Sequence, residues 1–212
     1  MRNGLAPTIF MILLGAAAPC GADEPLTVPP RDSVARKTQA EWSVAWWQWA
    51  GSFDRRESPL ADTTGALCAS HQDGRVWFLA GTYGSRRTVR TCRVPHGKYL
   101  FFPLINYVVM PRQGYSSDCV SFIAEAARIT SGAEYLVMEL DGQRLGKPEA
   151  HRQASACFDM GALASPKENV YPSAANGYYV MLKPLNVGTH ELNFGGVLPQ
   201  MRQAITYTLI VE

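Results

Sequence analysis

Hydrophobic and polar positions divide this chain into many short runs. Val76 to Thr82 begins Val-Trp-Phe-Leu-Ala, apolar without alternation, the mark of a strand covered on both faces. Tyr99 to Ile105 has the same character, and Pro103 within it predicts an interruption of pairing. Between them lies Thr88 to Val94, with turn residues Gly84-Ser85 before it and Pro95-His96-Gly97 after it. Together these runs predict a three-strand meander. Further along, Glu134 to Leu140 alternates, and Asp141-Gly142 is the strongest hairpin signal in the chain, with a return strand at Gln143 to Leu145. Weaker patterning predicts a strand near Arg152 to Phe158. Tyr178 to Leu182, His190 to Phe194 and Ala204 to Val211 close the chain, the last alternating through Ile205, Tyr207, Leu209 and Val211.

Two segments carry helical spacing instead. Residues 32–50 read as a helix with Asp32 or Ser33 as N-cap, and Trp42, Trp46 and Trp49 fall on one face at i, i+4 and i+7. Trp47 sits about 100° round the cylinder from Trp46. Arg36, Lys37 and Glu41 form the opposite, solvated face. Such aromatic weight predicts that the helix docks on the body of the protein; a carbohydrate-stacking platform or a membrane-interface anchor is the functional alternative. A second helix is expected near 119–129, capped by Ser117 or Asp118, with Phe122, Ile123, Ala126 and Ile129 inward and Gly132 as its stop. Gly114 to Asp118 and Met160 to Ala175 read as loops. The fold class that follows is mainly β: an antiparallel β-sandwich, jelly-roll-like, with an N-terminal Trp-rich helix and one further helix. A closed barrel is the alternative for the same strands.

The N-terminus changes the picture of where this domain works. Arg2 precedes an apolar run from Leu5 to Ala18 that is shorter than the roughly 20 residues a membrane span needs, so residues 1–22 read as a secretory signal cleaved after Ala22. A lipid-anchored alternative needs Cys20 as the first mature residue, and Pro19 before it suits that signal poorly. Residues 23–31 (DEPLTVPPR) are expected to be an extended, mobile linker, and 32–212 a single domain. The expected location is outside the cytoplasm, in the periplasm or beyond the cell, with no transmembrane segment after signal removal.

Loss of the signal leaves Cys68, Cys92, Cys119 and Cys157 of the five cysteines. An even count in an exported chain implies two disulfides, with three possible connectivities. Neighbouring pairs, Cys68–Cys92 and Cys119–Cys157, each bracket one supersecondary unit and are the expected bonds. Each should contribute roughly 3–4 kcal/mol on the chain-entropy account.

Charge and motifs exclude more than they select. A net charge of +2 and no basic run beyond pairs such as Arg86-Arg87 argue against a nucleic-acid partner. GxSxG, HExxH, P-loop and GxGxxG patterns are missing; no CxxC occurs and the four histidines are scattered, so no metal site and no cofactor are expected. Glu41, Asp62 and Asp118 are the carboxylates considered for glycoside hydrolysis, each with a capping or surface role as the plainer reading. Gln72 and Asn106 flank strands; with Trp46 and Trp47 they are the candidate binding residues, against a plainer role in bonding loop backbone. Lys98 reads as an edge charge, Trp77 as core, and His190 as a hydrogen-bonded structural histidine.

Five stretches carry a resemblance: WWQW at 46–49, DTTGxxC at 62–68, QxGxVWFLAGT at 72–82, CxVPxGKxLFFPxxN at 92–106 and GYYVMLKPLxxGTH at 177–190. They resemble a family of exported bacterial proteins of uncharacterised activity, and the likeness runs through almost the whole mature chain. His96 departs from it, standing where a small residue is usual. The resemblance implies a secreted β-rich domain with two disulfides and carries over no catalytic residue. The function expected is a secreted, non-catalytic binding or interaction domain of unknown partner, a glycan or an envelope component. A glycan-active hydrolase or lyase on a jelly-roll scaffold is the rival.

Overall fold

A computed structural model describes residues 26–84, 87–111, 118–160 and 170–212. The expected signal sequence, and most of the two loops predicted at 114–118 and 160–175, lie outside the described residues. Helix α1 spans Gln39–Gly51 and α2 spans Cys119–Thr130. The strands are β1 (Val76–Phe78), β2 (Arg87–Val94), β3 (Tyr99–Val109), β4 (Glu134–Leu140), β5 (Gln143–Arg144), β6 (Arg152–Ala154), β7 (Ala174–Leu182), β8 (Gly188–Leu198) and β9 (Met201–Val211). They form a four-stranded sheet in the order β1-β3-β7-β6 and a five-stranded sheet in the order β2-β9-β8-β4-β5. The β-sandwich with two helices expected from the sequence is therefore observed. Its sheets are mixed, because β1 runs parallel to β3 and β2 parallel to β9.

The two sheets differ in what covers them. Every residue of β7 is buried and β3 is buried from Leu100 to Asn106, so the four-stranded sheet is covered on both faces. One face meets the core between the sheets, where Phe102, Val180, Phe194 and Tyr207 pack together. The other receives α1, with Trp46 and Trp49 against Phe101, Tyr179 and Met181. In the five-stranded sheet, β2 and β9 alternate between exposed or half-buried and buried residues, which leaves an outer face in contact with solvent.

The meander is corrected. After β1 the chain leaves the four-stranded sheet, and β2 joins the far edge of the other one. Residues from distant segments hold this crossing. Arg90 donates to the Ala80 and Gly81 carbonyls, and the Gln203 amide oxygen accepts from the Thr82 N–H. A Cβ added at Gly81 would lie 2.7 Å from that same Gln203 oxygen, so a larger residue there would push this side chain off its contact.

Both expected disulfides are present, with Cα–Cα distances of 5.9 Å for Cys68–Cys92 and 5.8 Å for Cys119–Cys157. The first does not arise from a hairpin. The 62–68 loop folds onto the edge of β2, where the Thr64 carbonyl accepts from Thr91 N–H at 2.9 Å, and this brings Cys68 to Cys92. The same loop shields an edge strand that would otherwise be open to pairing.

Two boundaries also move. The first helix begins at Gln39, not near 32, because Thr38 and Glu41 make a capping box. Ala35 and Arg36 ahead of it have positive φ, which turns the chain before the helix starts. The described part of the segment expected to be mobile is docked: Thr27 bridges to Leu182, buried Val28 donates to the Met181 carbonyl, and the chain then turns, with Asp32 N–H donating to the Pro29 carbonyl.

Candidate ligand-binding face

The tryptophan helix is bound to the body through its indoles as well as its rings. Trp46 is 1% exposed and donates to the Leu79 carbonyl at 3.0 Å. Trp42 donates to Val34, Trp49 to Ser70, and Trp47 to the Tyr179 hydroxyl at 2.8 Å. Buried Asn106 donates to that same hydroxyl at 3.2 Å, so Trp47 and Asn106 meet on Tyr179. Burial pushes the Tyr179 phenol well above its ordinary value, and it stays neutral. Gln72 lies apart from them, beside β1: its side chain accepts from Phe78 N–H and donates to the Phe78 and Cys68 carbonyls. Of the four candidate binding residues, the fold thus brings two together around a buried phenol.

The three candidate carboxylates all organise local backbone. Glu41 closes the α1 capping box, and its hydrogen bonds from Thr38 lower its pKa. Asp118 caps α2 through Ser121 N–H. Asp62 accepts from the Thr64 and Leu67 N–H groups, bonds that outweigh partial burial and keep its carboxyl below the usual range. Among the described residues no group of His, Cys, Asp and Glu is placed to hold a metal ion.

His190 pairs with the hairpin turn. Its Nδ1 lies 2.7 Å from Asp141, and its Nε2 lies 3.0 Å from the Asn186 carbonyl, so the doubly protonated ring donates at both ends. Burial pulls its pKa down, but the bonds to Asp141 and Asn186 outweigh that and raise it above 6.5. Asp141 is lowered: burial opposes, while His190 and Glu191 N–H prevail. The imidazolium therefore stabilises the fold fully below its unfolded value of about 6.5, and this is lost as pH rises through the higher folded value. The Asp141 contribution is present above about pH 3.9 and is lost as pH falls through its depressed folded value. The gap in melting temperature between the native chain and His190→Gln should be widest near pH 5–6 and shrink in alkali. A gap that does not change with pH would show the ion pair to be inert.

The outer face of the five-stranded sheet holds a feature that residue-type reasoning missed. Two adjoining hollows of about 370 and 330 Å³ meet at Val197. Strand register builds the first: Arg87 on β2, Ala204 on β9, Gly195 on β8 and Val137 on β4 form one row across the sheet. The two middle positions carry little or no side chain, so the row is a trough between Arg87 and Val137. Gly195 is held to glycine by strand contact, since a Cβ would lie 2.2 Å from the Gln203 carbonyl.

Tyr135 stands on the wall of this trough. A register shift between Glu134 and Val137 bulges β4, and Tyr135 takes φ 52°, a conformation unfavourable for a bulky residue. The outcome is an aromatic ring 78% exposed on a half-open sheet face, beside Val137 at 44%. One row along, Thr206 donates to the Asn193 Oδ1 at 2.7 Å, and Asn193 Nδ2 donates to Glu191 at 2.9 Å. The amide on the floor is thereby fixed in orientation. A strained aromatic, an apolar wall and an oriented amide facing an open trough can hold a small polar ligand that has one apolar side.

No family model matches this chain, and no curated protein matches its sequence. A solved structure titled "Structure of PbICP-C in complex with falcipain-2" aligns with 66% of this chain and 100% of that one, at 9% identity and a TM-score of 0.29. A likeness of that degree carries no argument about either fold or function.

Proposed function

We propose that this chain is an exported, non-catalytic binding domain, a member of the exported bacterial family its motifs resemble, with its ligand surface on the outer face of the five-stranded sheet. The observation that carries the reading is Tyr135, forced by a bulge and a positive φ to stand exposed over the trough. Two disulfides suit an oxidising compartment and support export. The candidate acids Glu41, Asp62 and Asp118 cap separate turns and helices, which favours binding over hydrolysis.

Hydrogen–deuterium exchange on the mature chain, from Asp23 onward, with and without a panel of envelope glycans and proteins, tests this. Protection should concentrate on residues 135–139 and 193–197. Cleaved glycan in the mixture would overturn the non-catalytic part. Protection confined to α1 would move the surface to the tryptophan helix.

A further inference from the structure

We infer that the ligand of this face is an acidic glycan, a chain of sugar units carrying carboxylates; the inference rests on the outer sheet face being the ligand surface. The charge pattern of the trough carries it. Arg87 on β2 lines the first hollow and Arg202 on β9 lines the second, both exposed and both on the same flank. Among the described residues neither guanidinium has a hydrogen-bond or ion-pair partner, whereas Arg93, further along β2, is paired with Glu212 at 2.6 Å. Past Asn193, outside the lining of either hollow, stand Glu139 on β4 and Glu191 on β8, both bonded to its amide.

A ligand lying in the two hollows therefore meets cations on one flank, the wall of Tyr135 and Val137 on the other, and two carboxylates beyond Asn193. A long polyanion such as nucleic acid, running on past Asn193, would be repelled by those two carboxylates. A neutral ligand would leave both guanidiniums unpaired. A uronate unit suits this lining, since its carboxylate accepts the planar two-pronged donation of an arginine while the rest of its ring carries no charge. The C–H face of its ring rests on Tyr135 and Val137, as the apolar body of an exposed aromatic requires. Each hollow falls at the lower end of the range for small-molecule sites, roughly 300–1,000 Å³. Their junction at Val197 lets one oligosaccharide occupy both, with successive carboxylates facing Arg87 and Arg202.

Titration calorimetry with tetrasaccharides of galacturonate and of mannuronate, each beside its methyl ester, isolates the carboxylate at constant shape. At least one acid is expected to bind ten or more times tighter than its ester, and the preference should fall as salt is raised. Arg87→Ala should cost about tenfold for the acid and little for the ester, and Tyr135→Ala should abolish binding of both. Both side chains are exposed, so unchanged melting temperatures would verify that the variants fold. Amide chemical shifts locate the contact. Equal binding of acid and ester, with shifts at 193–197, would overturn the acidic ligand and leave the face standing. Binding with shifts elsewhere would overturn both readings. Failure of every saccharide to bind would overturn the acidic glycan, while the broader panel under exchange still decides the face.

Discussion

Replacing Trp46 with alanine is expected to lower the unfolding free energy by about 3–5 kcal/mol, the range for large buried aromatics. The indole is 1% exposed, packs edge-on to Trp47 with centroids 5.1 Å apart, and lies 6.1 Å from Trp49. Truncation would open a void between α1 and the four-stranded sheet, and it would strand the Leu79 carbonyl that Trp46 now satisfies. For a domain of this size the melting temperature should fall on the order of 10 °C. Trp46→Phe, which restores most of the volume without the N–H, should recover part of the loss. If Trp46→Ala melts like the native chain, the helix is held by something other than this residue, and the ring is free for recognition.

The same helix shows what a single sequence discloses. Tryptophans at i, i+4 and i+7 announce one heavily apolar face, and that face is the one docked on Phe101 and Met181. Where the helix starts was harder to read: Asp32 and Ser33 are good caps by type, yet Thr38 wins because Glu41 stands three residues on and completes the box. For strands, alternation proved reliable. Residues 134–140 were readable to both ends, and the non-alternating 76–80 and 99–104 segments lie in, or lead directly out of, the sheet covered on both sides.

Pairing partners were not readable, because they depend on contacts far apart in the chain. Nothing local says that β1 should run beside β3 while β2 crosses to β9; the residues that enforce the crossing are Arg90 and Gln203, the latter 121 positions from the N–H it accepts. The Cys68–Cys92 bond could be expected from spacing, but the loop that delivers Cys68 to the β2 edge could not. The trough is hidden for the same reason. Arg87, Ala204, Gly195 and Val137 become neighbours only through the registers of three strand pairs. Two local signals were present: Gly195-Gly196 inside an otherwise regular strand, and Tyr135 and Val137 on the outward phase of an alternating one.

Arg90→Met is expected to cost about 3 kcal/mol or more, from stranding several buried acceptors at about 1–3 kcal/mol each. Arg90 is 1% exposed on the inward phase of β2. Its Nε donates to the Asp62 carbonyl at 2.8 Å, and its Nη1 donates to Ala80 at 2.7 Å, to Gly81 at 3.0 Å and to the Tyr207 hydroxyl at 2.9 Å. One guanidinium thus ties together the loop that shields the β2 edge, the crossing between the sheets and the neighbouring strand β9. Methionine fills much the same space and donates nothing, so the Asp62 and Gly81 carbonyls would lose this donor and Ala80 would keep only the Tyr207 hydroxyl at 3.2 Å. Lysine keeps the charge but has no planar fork to reach Asp62 and Ala80 at once, so Arg90→Lys should restore less than half of the loss. Urea unfolding measures both variants. A midpoint for Arg90→Met within 1 kcal/mol of the native chain would mean that water reaches these carbonyls, and that the crossing is secured mainly by Gln203 and the Cys68–Cys92 bond.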